Sequence, residues 1–191
     1  LRRKIAQAFE QSGLDPKGHD GKALTQILES YPRDELFQIP VHELGEISLG
    51  ILRLQERQRI AFFCRVDPFE RFVSALIYVP RDRYDAQLRD RLHALVAEAY
   101  AGAIVGSYVQ VMESPLARLH LIVRTSPGKV PVINQAELEE RLVEAGRRWG
   151  ERLLDALATA NVPAKPSKLI VTRYATAFPT AYAERFSPYE A

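Results

Sequence analysis

Cysteine occurs once in these 191 residues, as Cys64. A single thiol excludes an internal disulfide framework and any cysteine-rich metal site, and a reducing, cytoplasmic setting is expected. The four histidines, His19, His42, His93 and His120, are widely separated. Neither an HExxH pair nor another ligand spacing is present, so no residue is assigned to a metal. The glycine-rich phosphate loops GxGxxG and GxxxxGK followed by Ser or Thr are missing as well, and with them any dinucleotide or P-loop signature. Long apolar runs are lacking: none approaches the roughly 20 residues a membrane helix requires, and no secretory signal is present. Charge of one sign is not in surplus, because 26 basic and 24 acidic residues leave a net charge of +2. That balance gives no general case for nucleic acid or an anionic membrane as partner.

What is present suits a globular domain with appendages. The apolar fraction is 47% and the charged fraction 26%, enough for a sizeable core. The chain opens on Leu1 and enters a helical pattern at once. A piece of a longer protein is expected from that opening.

The strongest local pattern runs from Gln58 to Tyr84. Ile60, Phe62, Cys64 and Val66 alternate with Arg59, Ala61, Phe63 and Arg65, and Phe72, Ser74, Leu76 and Tyr78 alternate with Val73, Ala75, Ile77 and Val79. With Asp67-Pro68 between the two runs, this is a hairpin. Both strands are apolar on both faces, which places them near the middle of a sheet. Pro80 ends the hairpin, and Asp82 is positioned to cap a helix.

Around this hairpin the other elements follow in order. Helices are expected over 2–12, ending at Gly13, and from Asp20 to Tyr31, where Pro32 stops them. ELFQI (35–39) reads as a short strand, and 41–55 as a helix with Leu44, Ile47, Ile51 and Leu54 buried. Gly45 and Gly50 mark either close packing or tolerated surface positions. A helix over 83–101 is terminated by Gly102, a strand covers 104–112, and 117–125 alternates as an edge or one-sided strand. A capping-box-like start at Asn134 and Glu137 opens one long helix reaching Ala160 through Trp149. NVPAKPSK (161–168) reads as a linker, and the aromatic tail beyond it as a broken helix. The division expected is a helical lead-in (1–33), an α+β domain (34–126) and a C-terminal helix, linker and tail (134–191).

ELFQI, helix 41–55, the hairpin, helix 83–101 and strand 104–112 spell β-α-β-β-α-β, the ferredoxin-like order. The fold class is therefore α+β: an antiparallel sheet with helices on one face, plus an extra strand and flanking helices. The second face needs cover from strand 117–125, the Trp149 helix or a partner chain.

Chemistry is harder to find. Cys64 lies in an apolar strand, where a buried thiol is inert. His120 alternates with Arg118 and Arg124, and a polar contact competes there with a solvent-facing or core-edge histidine. Pro-Arg-Asp occurs twice, as Pro32-Arg33-Asp34 and Pro80-Arg81-Asp82, with Asp67 and Arg71 also near strand ends. Capping and local ion pairing account for these; a recognition surface for another domain is the sharper alternative.

Several long strings resemble the large bacterial NAD-dependent glutamate dehydrogenases. They are YPRDELFQI (31–39), GILRLQERQRIAFFCRVDPFERFVSALIYVPRDRY (50–84), ESPLARLHLIVR (113–124), the Arg148-Trp149 pair and AFPTAY (177–182). The resemblance implies an ACT-like regulatory region ahead of the catalytic domain. It implies NAD and glutamate chemistry in the parent enzyme, and no catalytic, cofactor-binding or metal residue in this chain. Partners would be other domains and subunits of that enzyme, with an amino-acid effector at the first strand–helix junction as the alternative role. That junction, Gln38-Ile39-Pro40-Val41, lacks the glycine of ligand-binding ACT modules, and Glu70 stands where the family tends to have glycine.

Overall fold

A computed structural model describes residues 1–54, 58–111, 114–179, 182 and 186–190. Gln55, Met112, Glu113 and part of the aromatic tail, all within elements or turns expected above, lie outside them. The chain divides into two compact units, Leu1–Ala145 and Gly146–Ala191.

The first unit begins with four helices: α1 (Arg2–Ser12), α2 (His19–Ser30), α3 (Arg33–Gln38) and α4 (Val41–Leu54). Gly13 closes α1 in the left-handed region, at φ 67°, a conformation that costs glycine nothing. The N-cap of α2 is Gly18, with Asp20 inside the first turn and not at the cap expected for it.

ELFQI is helical, which corrects the strand expected at 35–39. Pro32 stands at the N-cap, and Asp34 and Glu35 occupy the first turn, where carboxylates favour the helix dipole. Glu35, Leu36 and Ile39 are buried while Phe37 is exposed, which is the face of a helix and not the alternation of a strand. Lys4 completes the stop by donating to the carbonyls of Leu36 at 2.8 Å and Ile39 at 2.9 Å. Five residues fit either period; only the partner helix decides.

The sheet holds β1 (Ala61–Val66), β2 (Phe72–Pro80), β3 (Ala103–Val111) and β4 (Leu116–Arg124) in the order β1-β2-β4-β3, every neighbouring pair antiparallel. Helix α5 (Ala86–Ala99) connects β2 to β3, and α6 (Gln135–Ala145) follows β4. Read cyclically from β4, the order is β-α-β-β-α-β. The α+β ferredoxin-like arrangement is thus present, entered at a different strand. The segment 116–124 fills the inner position that the sequence reading gave to ELFQI, and α6 fills the one given to α4. Hence β4 is central and not an edge, and the hairpin contributes one inner strand, β2, and one edge, β1.

Each face of the sheet has its own core. Val73, Ala75, Ile77 and Val79 of β2 join Leu119, Leu121 and Val123 of β4 against Leu88, Leu92 and Val96 of α5 and Leu138 and Leu142 of α6. The opposite face supplies Ala61, Leu76, Tyr78 and Leu116 to a cluster with α1, α2, α3 and α4. The lead-in helices are therefore the cover that the second face required. Gly50 of α4 explains part of the fit: a Cβ there would stand 2.6 Å from Phe63 Cε1.

Helix α5 is capped by Asp85, whose Oδ1 accepts from Leu88 N at 2.7 Å, and residues 81–83 form a 3-10 turn before it. Asp82 is not the cap. At the other end Ala101 takes the left-handed conformation, φ 46°, and Gly102 is required for another reason. A Cβ on Gly102 would lie 2.6 Å from the Arg124 carbonyl oxygen.

In the second unit the long helix expected through Trp149 is broken. It comprises α7 (Trp149–Thr159), beginning after Arg148, whose N–H donates to Glu151 Oε2 at 3.2 Å. The expected linker folds into α8 (Ala164–Tyr174), with Pro163 at its N-cap and Pro166 in its first turn, where a missing N–H is harmless. Trp149 meets Phe178 at 5.7 Å and Tyr182 at 6.4 Å between ring centroids, and Phe178 stacks on Tyr182 at 4.8 Å.

Gly102→Ala is expected to cost about 1–3 kcal/mol, because the clash is with backbone. Gly45→Ala, with nothing nearer than 3.9 Å, is expected to gain up to about 1 kcal/mol of helix stability. Chemical denaturation of the two variants checks both; equal effects would contradict the packing described.

Candidate functional site

Beyond the apolar patch under the lead-in helices, the second sheet face turns polar. The register sets Arg65 of β1 beside Ser74 of β2, Ser74 beside Ile122, and His120 and Arg118 of β4 beside Tyr108 and Gln110 of β3. The half-buried, one-sided strand expected over 117–125 puts Arg118 and His120 on its less buried face. Instead Arg118 and His120 are buried, as are Arg65 and Ser74.

Each of these four buried side chains has a hydrogen-bond partner. Arg65 donates to Glu35 through Nε at 2.8 Å and Nη2 at 3.0 Å, a two-pronged pair in which both side chains are 3% exposed. Burial opposes the charge on Arg65, but the Glu35 hydrogen bonds and charge outweigh it and raise the guanidinium pKa further. Ser74 Oγ and His120 Nε2 are 2.9 Å apart. Burial lowers the His120 pKa, with nearby Arg118 acting in the same direction and Glu35 against it, so the imidazole is neutral at pH 7. Arg118 donates to the Ser30 carbonyl at 2.8 Å and to Gln110 Oε1. Burial pushes the hydroxyl pKa values of Tyr31 and Tyr78 upward, and both stay neutral.

These side chains border a cleft of about 550 Å³. Its floor is the β2, β4 and β3 surface at Phe72, His120 and Arg118, and its wall is α3 at Arg33 to Gln38. The first Pro-Arg-Asp run thus belongs to this wall, while the second opens the 3-10 turn before α5. Asp67 and Arg71 pair locally at the hairpin turn, at 2.8 and 2.9 Å. That contact holds the Asp67 carboxyl at about 2, below its usual range.

The other candidates do not converge on the cleft. Cys64 faces away from it and accepts from Tyr100 Oη at 3.0 Å; burial raises its thiol pKa, so a nucleophilic thiolate is disfavoured. Among the described residues no group of three or more His, Cys, Asp or Glu could hold a metal. No described helix is long and apolar enough to cross a membrane. The junction Gln38-Ile39-Pro40-Val41 joins two helices, α3 and α4, and is not the strand–helix junction expected there. The sequence offered one signal for the actual cleft: three basic-type side chains on strands, the cationic Arg65 and Arg118 and the neutral His120, with Asp34 and Glu35 available to oppose the charges.

A second feature of this unit is an unequal pair of sheet edges. At β1, Glu139 of α6 accepts from Phe62 N at 2.9 Å and pairs with Arg59 at 2.5 Å, so that edge is occupied. At β3, the sequence AIVGSYVQV carries no charge, and Val105, Tyr108, Val109 and Val111 are all exposed. A bulge falls between Ile104 and Gly106, and the remainder pairs regularly with β4.

Three family models match this chain in succession: "Glutamate dehydrogenase, helical motif 1" over residues 1–57, "Glutamate dehydrogenase, ACT2 domain" over 61–150, and "Glutamate dehydrogenase, helical motif 2" over 159–191. The NAD-specific glutamate dehydrogenase of Halomonas elongata is 41% identical over 187 residues, 98% of this chain. That of Pseudomonas aeruginosa is 38% identical over 189 residues, 99% of this chain. That of Mycobacterium tuberculosis is 29% identical over 203 residues and takes in the entire chain. The chain spans 12% of the length of each of these relatives.

Removing one member of the Glu35–Arg65 pair strands the other in the interior. Arg65→Met is expected to cost about 3–5 kcal/mol, and adding Glu35→Leu to recover most of it; denaturant titration of the single and double variants checks this. For His120 the folded pKa lies below the unfolded value of 6.5. Its contribution is therefore complete above about pH 6.5 and declines as the pH falls and the unfolded chain takes up the proton. His93, also lowered by burial and by Arg89, contributes in the same direction. Stability measured between about pH 7.5 and pH 5.5 should fall less steeply in His120→Gln than in the parent; parallel curves would contradict a buried neutral imidazole.

Proposed function

The chain belongs to the NAD-specific glutamate dehydrogenase family, and from that premise we propose that it is a noncatalytic regulatory and assembly module of such an enzyme. On this reading the parent enzyme oxidatively deaminates L-glutamate to 2-oxoglutarate and ammonia with NAD in the cytoplasm, and its catalytic residues reside in other parts of the polypeptide. The module contributes contact. Its partners are the other domains and subunits of the same enzyme.

The observation that carries the proposal is the free edge of β3. An edge strand presents a row of N–H and C=O groups ready to pair, and proteins that must avoid pairing place charge or proline there. This nine-residue strand has neither, and four large apolar side chains stand exposed along it. The opposite edge, by contrast, is closed by Glu139. With relatives some eightfold longer than this chain, the rest of the enzyme supplies the surface for β3 to meet.

The second reading, an effector sensor, is favoured by the buried polar cleft between α3 and the sheet, and no longer by the junction at Gln38–Val41.

Sedimentation of the chain with and without the remaining domains of a family enzyme tests the assembly role. Association is expected, and Val105→Lys combined with Val111→Lys should weaken it by about tenfold or more while changing stability by only about 0.5 kcal/mol for each exposed site. A strictly monomeric chain with no affinity for those domains would defeat the proposal.

A further inference from the structure

We propose that the cleft between α3 and the β2-β4-β3 surface binds a small monocarboxylate with an apolar or aromatic body. The argument starts from Arg118. Its guanidinium belongs to a residue only 7% exposed, on the lining of the cleft. Its acceptors are neutral, the Ser30 carbonyl and the Gln110 side-chain oxygen, and the nearby Tyr78 hydroxyl is neutral too. A charge removed from water needs a counter-charge, and neutral acceptors supply only part of the lost hydration.

The other charged groups around the cleft cancel. Glu35 is committed to Arg65 by two hydrogen bonds. Arg33 and Asp34, neighbours in sequence and both exposed, line the same cleft, and their charges sum to zero. One positive charge is left over, which matches a monoanion and not a phosphate dianion. A planar carboxylate suits a planar guanidinium.

The remainder of the lining fixes the ligand's body. Phe72, Val109 and Ile122 are apolar, and the Tyr108 ring lies 5.9 Å from that of His120. A bare inorganic anion would leave these surfaces against water. The volume of about 550 Å³ falls within the range of small-molecule sites. The inference deepens the sensor reading above and is independent of the assembly role of β3.

Calorimetry on the 191-residue chain, with 3-phenylpropionate, its neutral amide and inorganic phosphate as probes, tests the site. The carboxylate is expected to bind saturably, with the amide and phosphate each at least about tenfold weaker. Arg118→Gln should abolish the preference for carboxylate over amide. Because Arg118 also holds Ser30 and Gln110, a second measurement uses the unaltered chain: the His120 ring signals in an NMR pH titration. A bound anion beside His120 moves its midpoint upward, and the amide leaves it in place. Equal binding of carboxylate and amide, no carboxylate binding at about 10 mM, or an unmoved His120 midpoint would each overturn the proposal. L-Phenylalanine separates this failure from failure of the sensor reading. If it binds without disturbing His120, an effector site exists elsewhere and the cleft is not it.

Discussion

The ion pair between Glu35 and Arg65 is the constraint on which the second face of the sheet depends. A four-stranded layer with two helices on one side leaves its other side to be covered. Here the cover is the lead-in of four short helices, whose apolar contacts with the sheet, Ala61, Leu76, Tyr78 and Leu116, form one patch. Hydrophobic burial is non-directional and would tolerate sliding. The two bonds between Glu35 and Arg65 are directional, and they tie α3 to the edge strand β1 in one orientation. A buried pair of this kind contributes little net stability, because desolvation of both ions offsets their attraction; what it supplies here is register.

Once α3 is held there, the polar inlay beneath it becomes intelligible. Ser74, His120, Gln110 and Arg118 lie on neighbouring strands, Gln110 directly opposite Arg118 and Ser74 diagonal to His120, and each satisfies part of another's hydrogen-bonding capacity. The inlay remains buried without becoming apolar. The sheet therefore has an inert face, closed by α5 and α6, and a chemically differentiated one. Its edges are differentiated in the same way, with β1 stoppered by a glutamate and β3 carrying no such cover among the described residues of the first unit. Both asymmetries are what the proposed contact role requires.

Much of this was legible in the sequence. The hairpin is long and strictly alternating, so its strands and turn emerge from periodicity alone; the same holds for α5 and for the strands after it. The α+β ferredoxin-like arrangement also survives, although its point of entry shifts by one β-α unit. The error traces to ELFQI. Over five residues a period of 2 and a period of 3.6 both fit, and the tie was broken by Lys4 and Arg65, which are remote in sequence. The same mistake hid the cleft. With ELFQI placed in the sheet, 117–125 had to be peripheral, and Arg118 and His120 were then free to face water. Polar residues on an inner strand are a rare pattern, and nothing local announces that distant partners will bury them. The break before Trp149 was missed for a related reason: apolar spacing runs through Gly146-Arg147-Arg148 without a change of period, and the helix stops where the first compact unit ends.

Amide hydrogen exchange along β3 tests the contact role most directly. The measurement compares those amides that do not bond to β4, first in this chain alone and then in a complete enzyme of the family. The account predicts rapid exchange in the chain alone and clear slowing from Gly106 to Val111 in the complete enzyme, where a partner strand or surface occupies the edge. Equal, rapid exchange in both would contradict it and leave β3 an edge without a partner.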